Sequence, residues 1–487
     1  MIELLLAIPV LTALVCFLGN SRRMLELVGA IGSAVLFAAS LAFAVQVFSV
    51  GAIYEGGLFL DAFGAYVLAI VAFISLLVSL YSIGYMGREY EEKEFGLGRL
   101  RLYYTLLHTF IFTMVLVCVA NNLGIMWIAI EGTTLASAFL VGFYNRETSL
   151  EAAWKYVIIC SVGITLALLG IILTYASITR VPGTAETGLD WTTLMSNATL
   201  LDPTLVKVAF ILVLVGYGTK VGLAPMHTWL PDAHSQAPTP VSALLSGVLL
   251  NCAMYGILRL DMVSSAALGP GFSGTLLILF GVVSLGIAAA FIVLSKDYKR
   301  LLAYSSIEHM GIISVAFGIG GPLGILGGLL HMLNHAATKS MLFFTSGNIL
   351  LRFKTKAMDE VKGLGRSMPY TALFLFLGAL AITGSPPFSI FVSELTIVYA
   401  GLSTGQYLVI GLFLLSLAVI FGAFLWHIGG MVFGKGKEDG PKGEVSRLNL
   451  AVIAILFVVV LGLGIFIPEV LTKVLDSVVA LFQGAGL

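Results

Sequence analysis

Long apolar stretches recur from one end of the chain to the other, and they limit its fold more than any other feature. Each is roughly 18 to 28 residues long, enough to cross a hydrocarbon core of ~30 Å as a helix. A bilayer offers backbone groups no hydrogen-bond partners, so a spanning segment has to satisfy them internally, as a helix does. The sequence therefore predicts an all-α polytopic membrane protein without a separate soluble domain.

Fourteen spans are predicted from these stretches. The composition agrees, because 59% of the residues are hydrophobic and only 11% are charged, with a mean hydropathy of +1.03, far from the values of soluble domains. No basic residue precedes the first stretch, which favours a retained span over a cleaved signal peptide. The expected spans cover about residues 2–19, 27–48, 62–84, 103–120, 122–142, 153–178, 204–224, 240–260, 273–294, 301–319, 322–350, 370–398, 405–432 and 449–466.

The distribution of lysine and arginine supports this count. Spans that alternate in direction place basic residues mainly on the cytoplasmic connections. With the N-terminus outside, twenty of the 26 basic residues fall in the odd-numbered, cytoplasmic connections. The opposite side receives Arg180, Lys207, Arg259 and Lys473, and the two remaining cations, Lys220 and Lys339, lie within spans.

Cysteine spacing and net charge exclude several classes of function. The four cysteines stand singly in apolar runs and form no CxxC pair, which argues against iron–sulfur, nickel or structural zinc ligation. No cofactor or metal is therefore expected in this chain. The formal net charge is zero and no basic cluster is interleaved with aromatic residues, so nucleic acid is not an expected partner.

The stretch 216–251, GYGTKVGLAPMHTWLPDAHSQAPTPVSALLSGVLLN, contains the most unusual span. Lys220 lies where a charge costs ~3 kcal/mol or more, and Pro225 leaves a backbone carbonyl without its helical partner. Together they predict a broken helix that borders a polar path. His227, Asp232 and His234 follow the proline, and they either admit protons or cap a half-helix.

The intramembrane charges are spaced as if the chain contained two copies of one unit. Glu131 precedes Lys220 by 89 positions and Glu308 precedes Glu394 by 86 positions, and the two pairs are offset by 177 and 174 positions. Spans 4–8 and 9–13 then form two inverted five-helix repeats, with broken helices 7 and 12. The predicted segments are a three-helix segment 1–102, the repeats 103–262 and 263–433, and a C-terminal helix and tail 434–487.

Three polar residues, His331, His335 and Lys339, recur every four positions and share one face of the eleventh predicted span. Histidine titrates near neutral pH and passes a proton through either nitrogen, so this row predicts a proton wire. Two alternatives stay open for the histidines. They could bind zinc, which Lys339 disfavours by repelling the cation, or they could be hydrogen-bonded polar groups between helices.

Three carboxylates within the predicted spans are candidates for the same proton path. Glu131 either forms a buried ion pair that fixes packing, or it approaches and leaves Lys220 and so acts as a proton gate. Glu308, with His309 beside it, is a secondary member of the wire. Glu394 is the counterpart of Lys220 in the second unit.

These motifs resemble the antiporter-like membrane subunits shared by respiratory complex I, membrane-bound group 4 nickel–iron hydrogenases and Mrp-type sodium/proton antiporters. The segment KVGLAPMHTWLPDAHSQAPTPVSALLSG carries the resemblance, and EGTTLASA, EAAWKYVIICSVGI and SSIEHMGI are similar to the hydrogenase-4 component F branch. The resemblance implies that Glu131 and Lys220 are the fifth-span and seventh-span partners and that Glu394 is the exit-side residue. One departure is LLNCAMYG, which has Asn251 where a complex I subunit has a central lysine.

The resemblance implies a proton-translocating subunit, without a redox centre of its own, in a hydrogenase-4/formate hydrogenlyase type or complex I-like NADH:quinone oxidoreductase. Its expected partners are other membrane-arm subunits, including further antiporter-like ones, a peripheral redox arm, H⁺ or Na⁺, and lipid. The expected location is a prokaryotic plasma (inner) membrane. An Mrp-type Na⁺/H⁺ antiporter subunit without redox chemistry and a scaffold that has lost pumping are the alternatives. Whether the ion is H⁺ or Na⁺ stays open, because carboxylates bind both.

Overall fold

The computed structural model describes residues 1–179, 181–184, 186–436 and 442–484, and nearly all of them belong to helices. Arg180 and Lys437, which the sequence assigned to connections on opposite sides, lie outside the described residues. The longer helices are α1 Glu3–Leu18, α2 Arg22–Val50, α3 Ala62–Glu91, α4 Leu97–Val119, α5 Leu123–Val141, α6 Glu147–Ile178, α8 Pro203–Val221, α11 Leu250–Leu268, α12 Pro270–Val293, α13 Tyr298–Ile319, α14 Gly321–Phe353, α16 Pro369–Ile382, α17 Ser389–Ser403, α18 Tyr407–Phe433, α19 Arg447–Ile465 and α20 Glu469–Phe482.

Shorter elements connect these helices. A two-stranded antiparallel hairpin, β1 Ile53–Glu55 and β2 Leu58–Leu60, precedes α3 and pairs Ile53 with Leu60. The short helices are α7 Trp191–Ser196, α9 Trp229–Gln236, α10 Thr239–Leu244 and α15 Leu364–Ser367, together with a 3-10 turn Ala198–Leu200 and a π-helical turn Leu245–Leu249.

Within the described residues, eleven helices are long and apolar enough to cross a membrane, and three shorter apolar helices accompany them. The chain is thus a multi-pass helical membrane protein, as its sequence predicts. The 33-residue helix α14 is not among the eleven, because its polar residues lower its mean hydropathy. Length alone would allow it to span.

The segment Thr239–Leu268, which joins α10, the π turn and α11, forms the centre of the bundle. All of its most apolar 18-residue window is buried, whereas only 22% of the corresponding window of α18 is buried. Helix α14 packs against this centre, and a Cβ on Gly247 would lie 2.7 Å from Ser340 Oγ. Such small residues let membrane helices approach closely. The central position of α11 and α14 puts their polar residues inside protein, away from lipid.

Two interruptions occur where the sequence predicts broken helices. Helix α8 ends at Val221, just before Gly222 at φ +82°, and α9 begins at Trp229. Helix α16 ends at Ile382 and α17 begins at Ser389. Lys220 precedes its break, whereas Glu394 follows its break, so the two charges lie on opposite sides of their interruptions.

Arg259, which the sequence places on the side opposite the cytoplasmic connections, lies well inside a helix that is longer than predicted. Helix α11 continues to Leu268, and Arg259 is only 1% exposed within it. Its guanidinium donates to Asp61 Oδ2 at 2.7 Å and to Asp61 Oδ1 at 2.6 Å. Asp61 also caps α3 by accepting from the Gly64 amide at 2.8 Å. A bidentate ion pair therefore fixes the start of α3 to α11.

Candidate functional site

Glu131 on α5 and Lys220 on α8 both form hydrogen bonds with the hydroxyl group of Thr134. Lys220, 1% exposed, donates from Nζ to Thr134 Oγ1 at 2.8 Å. Thr134 in turn lies 3.1 Å from Glu131 Oε2, and Ser161 donates to Glu131 Oε1 at 3.0 Å. The predicted partners are therefore neighbours, but the Thr134 hydroxyl joins them instead of a direct ion pair.

Tyr156 of α6 completes the surroundings of Lys220. The ammonium donates to Tyr156 OH at 2.5 Å and lies 4.6 Å from the centroid of that ring. Trp229 packs on the same ring, with centroids 4.6 Å apart, and its Nε1 donates to the Thr219 carbonyl at 2.8 Å. The tryptophan thereby satisfies a carbonyl that the break leaves without its helical partner.

Sequence reasoning missed both hydroxyl partners of Lys220. Thr134 was detectable, because it lies three residues after Glu131 and so shares its helix face. Tyr156 gave no such signal, since it belongs to another helix.

Two further polar groups, Asn251 and His234, contact α14 from neighbouring helices. Asn251 of α11 donates from Nδ2 to the Gly247 carbonyl at 3.1 Å and to the Met332 carbonyl at 3.2 Å. Its Oδ1 is buried and accepts no hydrogen bond from the described protein. His234 of α9 is fully buried and stacks on Phe343 of α14, with centroids 5.5 Å apart. Asn251 thus lies at the contact between α11 and α14 without a charge of its own.

Helix α14 carries the predicted row, and it faces a second polar row on α13. His331 Nε2 lies 2.8 Å from His309 Nδ1. The centroid of the His335 ring is 5.2 Å from that of His309, and in the part of the chain that the structure describes neither nitrogen of His335 has a hydrogen-bond partner. The three imidazoles form one cluster, in which His309 lies between the two histidines of α14.

Lys339 and Glu308 continue this contact between α13 and α14. The Lys339 ammonium donates to the Leu302 carbonyl at 2.6 Å and also to Ser305 Oγ. Both oxygens of Glu308 are buried and have no hydrogen-bond partner among the described residues. Within the described ranges, no group of three or more His, Cys, Asp or Glu residues is arranged to hold a metal ion.

Glu394 is linked to the imidazole cluster through its neighbour Ser393. His331 Nδ1 lies 3.0 Å from Ser393 Oγ. The Glu394 side chain is 6% exposed, and its Oε1 has no hydrogen-bond partner in the described protein. It packs against Gly384 in the second break, where an added Cβ would lie 1.9 Å from Glu394 Oε2. The carboxylate position therefore depends on the glycine.

We expect Gly384→Ala to destabilise the protein more than Gly405→Ala. Both glycines have positive φ, +68° and +75°, so each alanine costs about 1 kcal/mol of backbone strain. Only Gly384 also faces an overlap, since nothing lies within 4 Å of a Cβ at Gly405. The overlap adds about 1–3 kcal/mol. Denaturant titration of both variants measures the difference, and equal losses would contradict the packing of Glu394 on Gly384.

Comparisons with known proteins show the family to which the chain belongs. Residues 120–420 match the family described as "NADH:quinone oxidoreductase/Mrp antiporter, TM", and residues 54–95 match "NADH-Ubiquinone oxidoreductase (complex I), chain 5 N-terminus". A hydrogenase-4 component F homolog of Methylacidiphilum infernorum is 41% identical over 398 residues, which cover 81% of this chain and 82% of that protein.

Solved structures share the fold over nearly the whole chain. One is a chain of the membrane-bound sulfane sulfur reductase, an archaeal respiratory membrane complex, with a TM-score of 0.86, 24% identity and coverage of 100% of this chain and 99% of that chain. Another is a chain of the Mrp complex from a Dietzia species, with a TM-score of 0.86, 21% identity and coverage of 98% and 96%. As its motifs predict, the chain belongs to the NADH:quinone oxidoreductase/Mrp antiporter family of antiporter-like membrane subunits.

Proposed function

We propose that this antiporter-like subunit translocates protons within a larger membrane-bound redox complex, of the hydrogenase-4/formate hydrogenlyase or complex I-like NADH:quinone oxidoreductase type. Electron transfer takes place in other subunits, and this chain holds no cofactor. One observation carries the proposal: buried titratable groups extend through the bundle from Lys220, beside the half-buried Glu131, to His331 and Glu394. Charged groups inside a membrane are costly, so their accumulation marks a pathway for ions.

The first step of the proposed mechanism separates Glu131 from Lys220. A conformational change in a neighbouring subunit draws the carboxylate away from Thr134, which leaves the ammonium in an apolar site with only hydroxyl partners. A buried ammonium without a counter-charge favours loss of its proton. The Thr134 hydroxyl suits this role, because it donates to one group while it accepts from the other.

The second step carries the proton across the centre of the bundle to α14. Asn251 has no charge to offer, so this transfer depends on His234 and on water at the unpaired Asn251 oxygen. A buried amide oxygen without a protein partner is a position at which an ordered water is expected. His335 and Lys339 then receive the proton, with Glu308 as a nearby counter-charge.

The last step runs through the imidazole cluster to the exit group. Imidazoles in hydrogen-bond contact exchange a proton by switching tautomers, and His309 and His331 are in such contact. Ser393 lies next along the path, and Glu394 releases the proton outward. His309 therefore joins His331, His335, Lys339 and the carboxylates among the proton-carrying residues.

We also propose the full topology that the sequence predicts. The eleven long apolar helices, α1, α14, and α16 with α17 as one interrupted span make fourteen crossings. The N-terminus lies outside a prokaryotic plasma membrane, and the segments are 1–102, 103–262, 263–433 and 434–487. The inverted relation of the two repeats is supported by the matching places of Glu131 on α5 and Glu308 on α13. The two repeats are not fully symmetric, because Lys220 precedes the break in its helix whereas Glu394 follows the break in its helix.

The redox assignment rests on likeness to a hydrogenase-4 component F homolog, and the partners follow from it. They are other membrane-arm subunits, further antiporter-like subunits among them, and a peripheral redox arm. The second candidate is an Na⁺/H⁺ antiporter subunit of an Mrp-type complex without redox chemistry. It is favoured by the Mrp chain, whose TM-score of 0.86 equals that of the respiratory chain. Co-purification with redox subunits or only with antiporter subunits distinguishes the two.

Glu131→Gln is expected to lower the number of protons moved per electron in the reconstituted complex. The amide oxygen can still accept from Thr134 and the amide NH2 can donate to Ser161, so folding is preserved, but the amide carries no negative charge to stabilise the Lys220 ammonium. The ratio is the rate of proton uptake into vesicles, followed by the quenching of a dye, divided by the rate of electron transfer. The control is Glu151→Gln, whose side chain is 60% exposed on α6. An unchanged ratio in Glu131→Gln would refute the mechanism.

A further inference from the structure

A polar cavity of about 370 Å³ lies at the end of the bundle where α3 and α14 end and α6 and α13 begin. We call it the basic-end cavity. Its charged lining consists of four cations and two carboxylates: Arg146, Lys299, Lys354, Lys356, Glu89 and Glu94. It is separate from the row between Glu131 and Glu394.

Both carboxylates of the basic-end cavity already have partners. Tyr144 OH lies 2.8 Å from each oxygen of Glu89. Glu94 pairs with Arg146 at 3.4 Å. Lys354 is likewise engaged, because it forms an ion pair with Glu92. With Lys354 neutralised by Glu92, the lining keeps a formal excess of one positive charge, and Lys299 and Lys356 are its cations without an ion pair to a carboxylate of the described residues.

Backbone carbonyls hold these two lysines in place. Lys299, fully buried, donates to the Ala237 carbonyl at 2.7 Å. Lys356 donates to the Ser235 carbonyl at 2.9 Å and to Ser235 Oγ at 3.2 Å. An ammonium has three protons to donate, so Lys299 retains donors that no protein group of the described chain accepts.

The nearby Asp297 does not neutralise the two lysines. Its Oδ1 accepts from the Lys299 and Arg300 backbone amides at 2.7 and 3.1 Å, and its Oδ2 accepts from Ser235 Oγ at 2.8 Å. Burial lowers the pKa of Lys356, and although the Asp297 carboxylate raises it, Arg146 and Arg300 lower it further, so the net shift of the pKa is downward. A bound anion would offset both the desolvation and the repulsion between these cations.

We propose that the basic-end cavity binds a phosphate group, carried by an anionic phospholipid or by free phosphate. Phosphate oxygens accept charge-assisted hydrogen bonds from lysine and arginine, and basic pockets between membrane helices on the cytoplasmic side bind lipid head groups. The volume is about twelve times that of a liquid water, which accommodates a phosphate with attached glycerol. This inference is independent of the proposed proton path.

The test compares orthophosphate binding to the purified complex in nanodiscs of neutral phosphatidylcholine. Radiolabelled orthophosphate is titrated by equilibrium dialysis at fixed ionic strength. We expect the double variant Lys299→Gln, Lys356→Gln to weaken binding by at least about tenfold, since it loses two charge-assisted contacts. The glutamine amides can still donate to Ala237 and Ser235. The control, Lys435→Gln with Lys442→Gln, removes the same charge from exposed positions and is expected to bind as the wild type does.

A second arm identifies the source of the phosphate group. Nanodiscs with phosphatidylglycerol displace orthophosphate if a lipid head group is the occupant, and they leave it bound if free phosphate is. Either result supports the site. Equal binding by the wild type and the Lys299, Lys356 double variant would overturn it, as would a structure of the complex in which an acidic residue of a neighbouring subunit fills the cavity. If the double variant fails to assemble, Lys356→Gln alone is tested. We expect it to bind orthophosphate at least about threefold more weakly than the wild type, and equal binding would overturn the site.

Discussion

Arg259→Leu is expected to lower the free energy of unfolding by about 3–5 kcal/mol, because it leaves the Asp61 carboxylate buried without its counter-charge. Asp61 and Arg259 have side chains only 2% exposed, so water cannot replace the lost partner. The guanidinium also donates to Tyr255 OH at 2.7 Å and lies 4.2 Å from the centroid of the Trp191 ring. The loss therefore includes a hydrogen bond and a cation–π contact.

A double-mutant cycle with Asp61→Asn separates the charge from the packing. Asparagine still accepts from the Gly64 amide, so the cap of α3 is retained and only the carboxylate charge is removed. In that background we expect Arg259→Leu to cost clearly less, since no unpaired charge remains. Arg300→Leu serves as the reference for an exposed ion pair. The Arg300 side chain is 44% exposed and that of its partner Asp232 is 21% exposed, and such pairs contribute about 0–1 kcal/mol. Similar losses for Arg259→Leu and Arg300→Leu on denaturation in mixed micelles would contradict a buried ion pair.

The sequence predicts the spans well because membrane crossing depends on local composition. A run of apolar residues and its length decide whether a segment can span, and both are visible without any partner. The breaks are predictable for the same reason, since Pro225, Pro386 and Pro387 interrupt helical hydrogen bonding wherever they stand. The shared face of His331, His335 and Lys339 follows from helical periodicity alone.

Helical periodicity does not identify the neighbouring helix against which a given face packs. The row on α14 faces α13, so His331 contacts His309 rather than continuing directly to His335. The same limit explains Thr134 between Glu131 and Lys220, since the rotation of α5 relative to α8 is a matter of packing. Asp61 and Arg259 are 198 positions apart, and no local pattern connects them.

Lys220→Met is expected to reduce proton translocation through this chain by roughly 10²-fold or more, the usual contribution of a positioned proton donor or acceptor. Methionine has a similar length but neither a proton nor a donor for Thr134 and Tyr156. Stability should not fall in parallel. No carboxylate pairs directly with Lys220, so replacing the buried ammonium by an apolar group of similar volume is neutral or stabilising.

This opposite behaviour of activity and stability distinguishes a proton-carrying lysine from a structural one. Lys207 provides a control on the same helix, because it is exposed near the start of α8 and lies 6.0 Å from the Phe272 ring centroid. Lys207→Met is expected to leave both proton transport and stability unchanged. The measurements are dye quenching in vesicles and thermal unfolding of the same complexes. If Lys220→Met lost stability while the remaining folded complex pumped normally, the ammonium would serve to hold α5, α6 and α8 together and the proton path would have to bypass it.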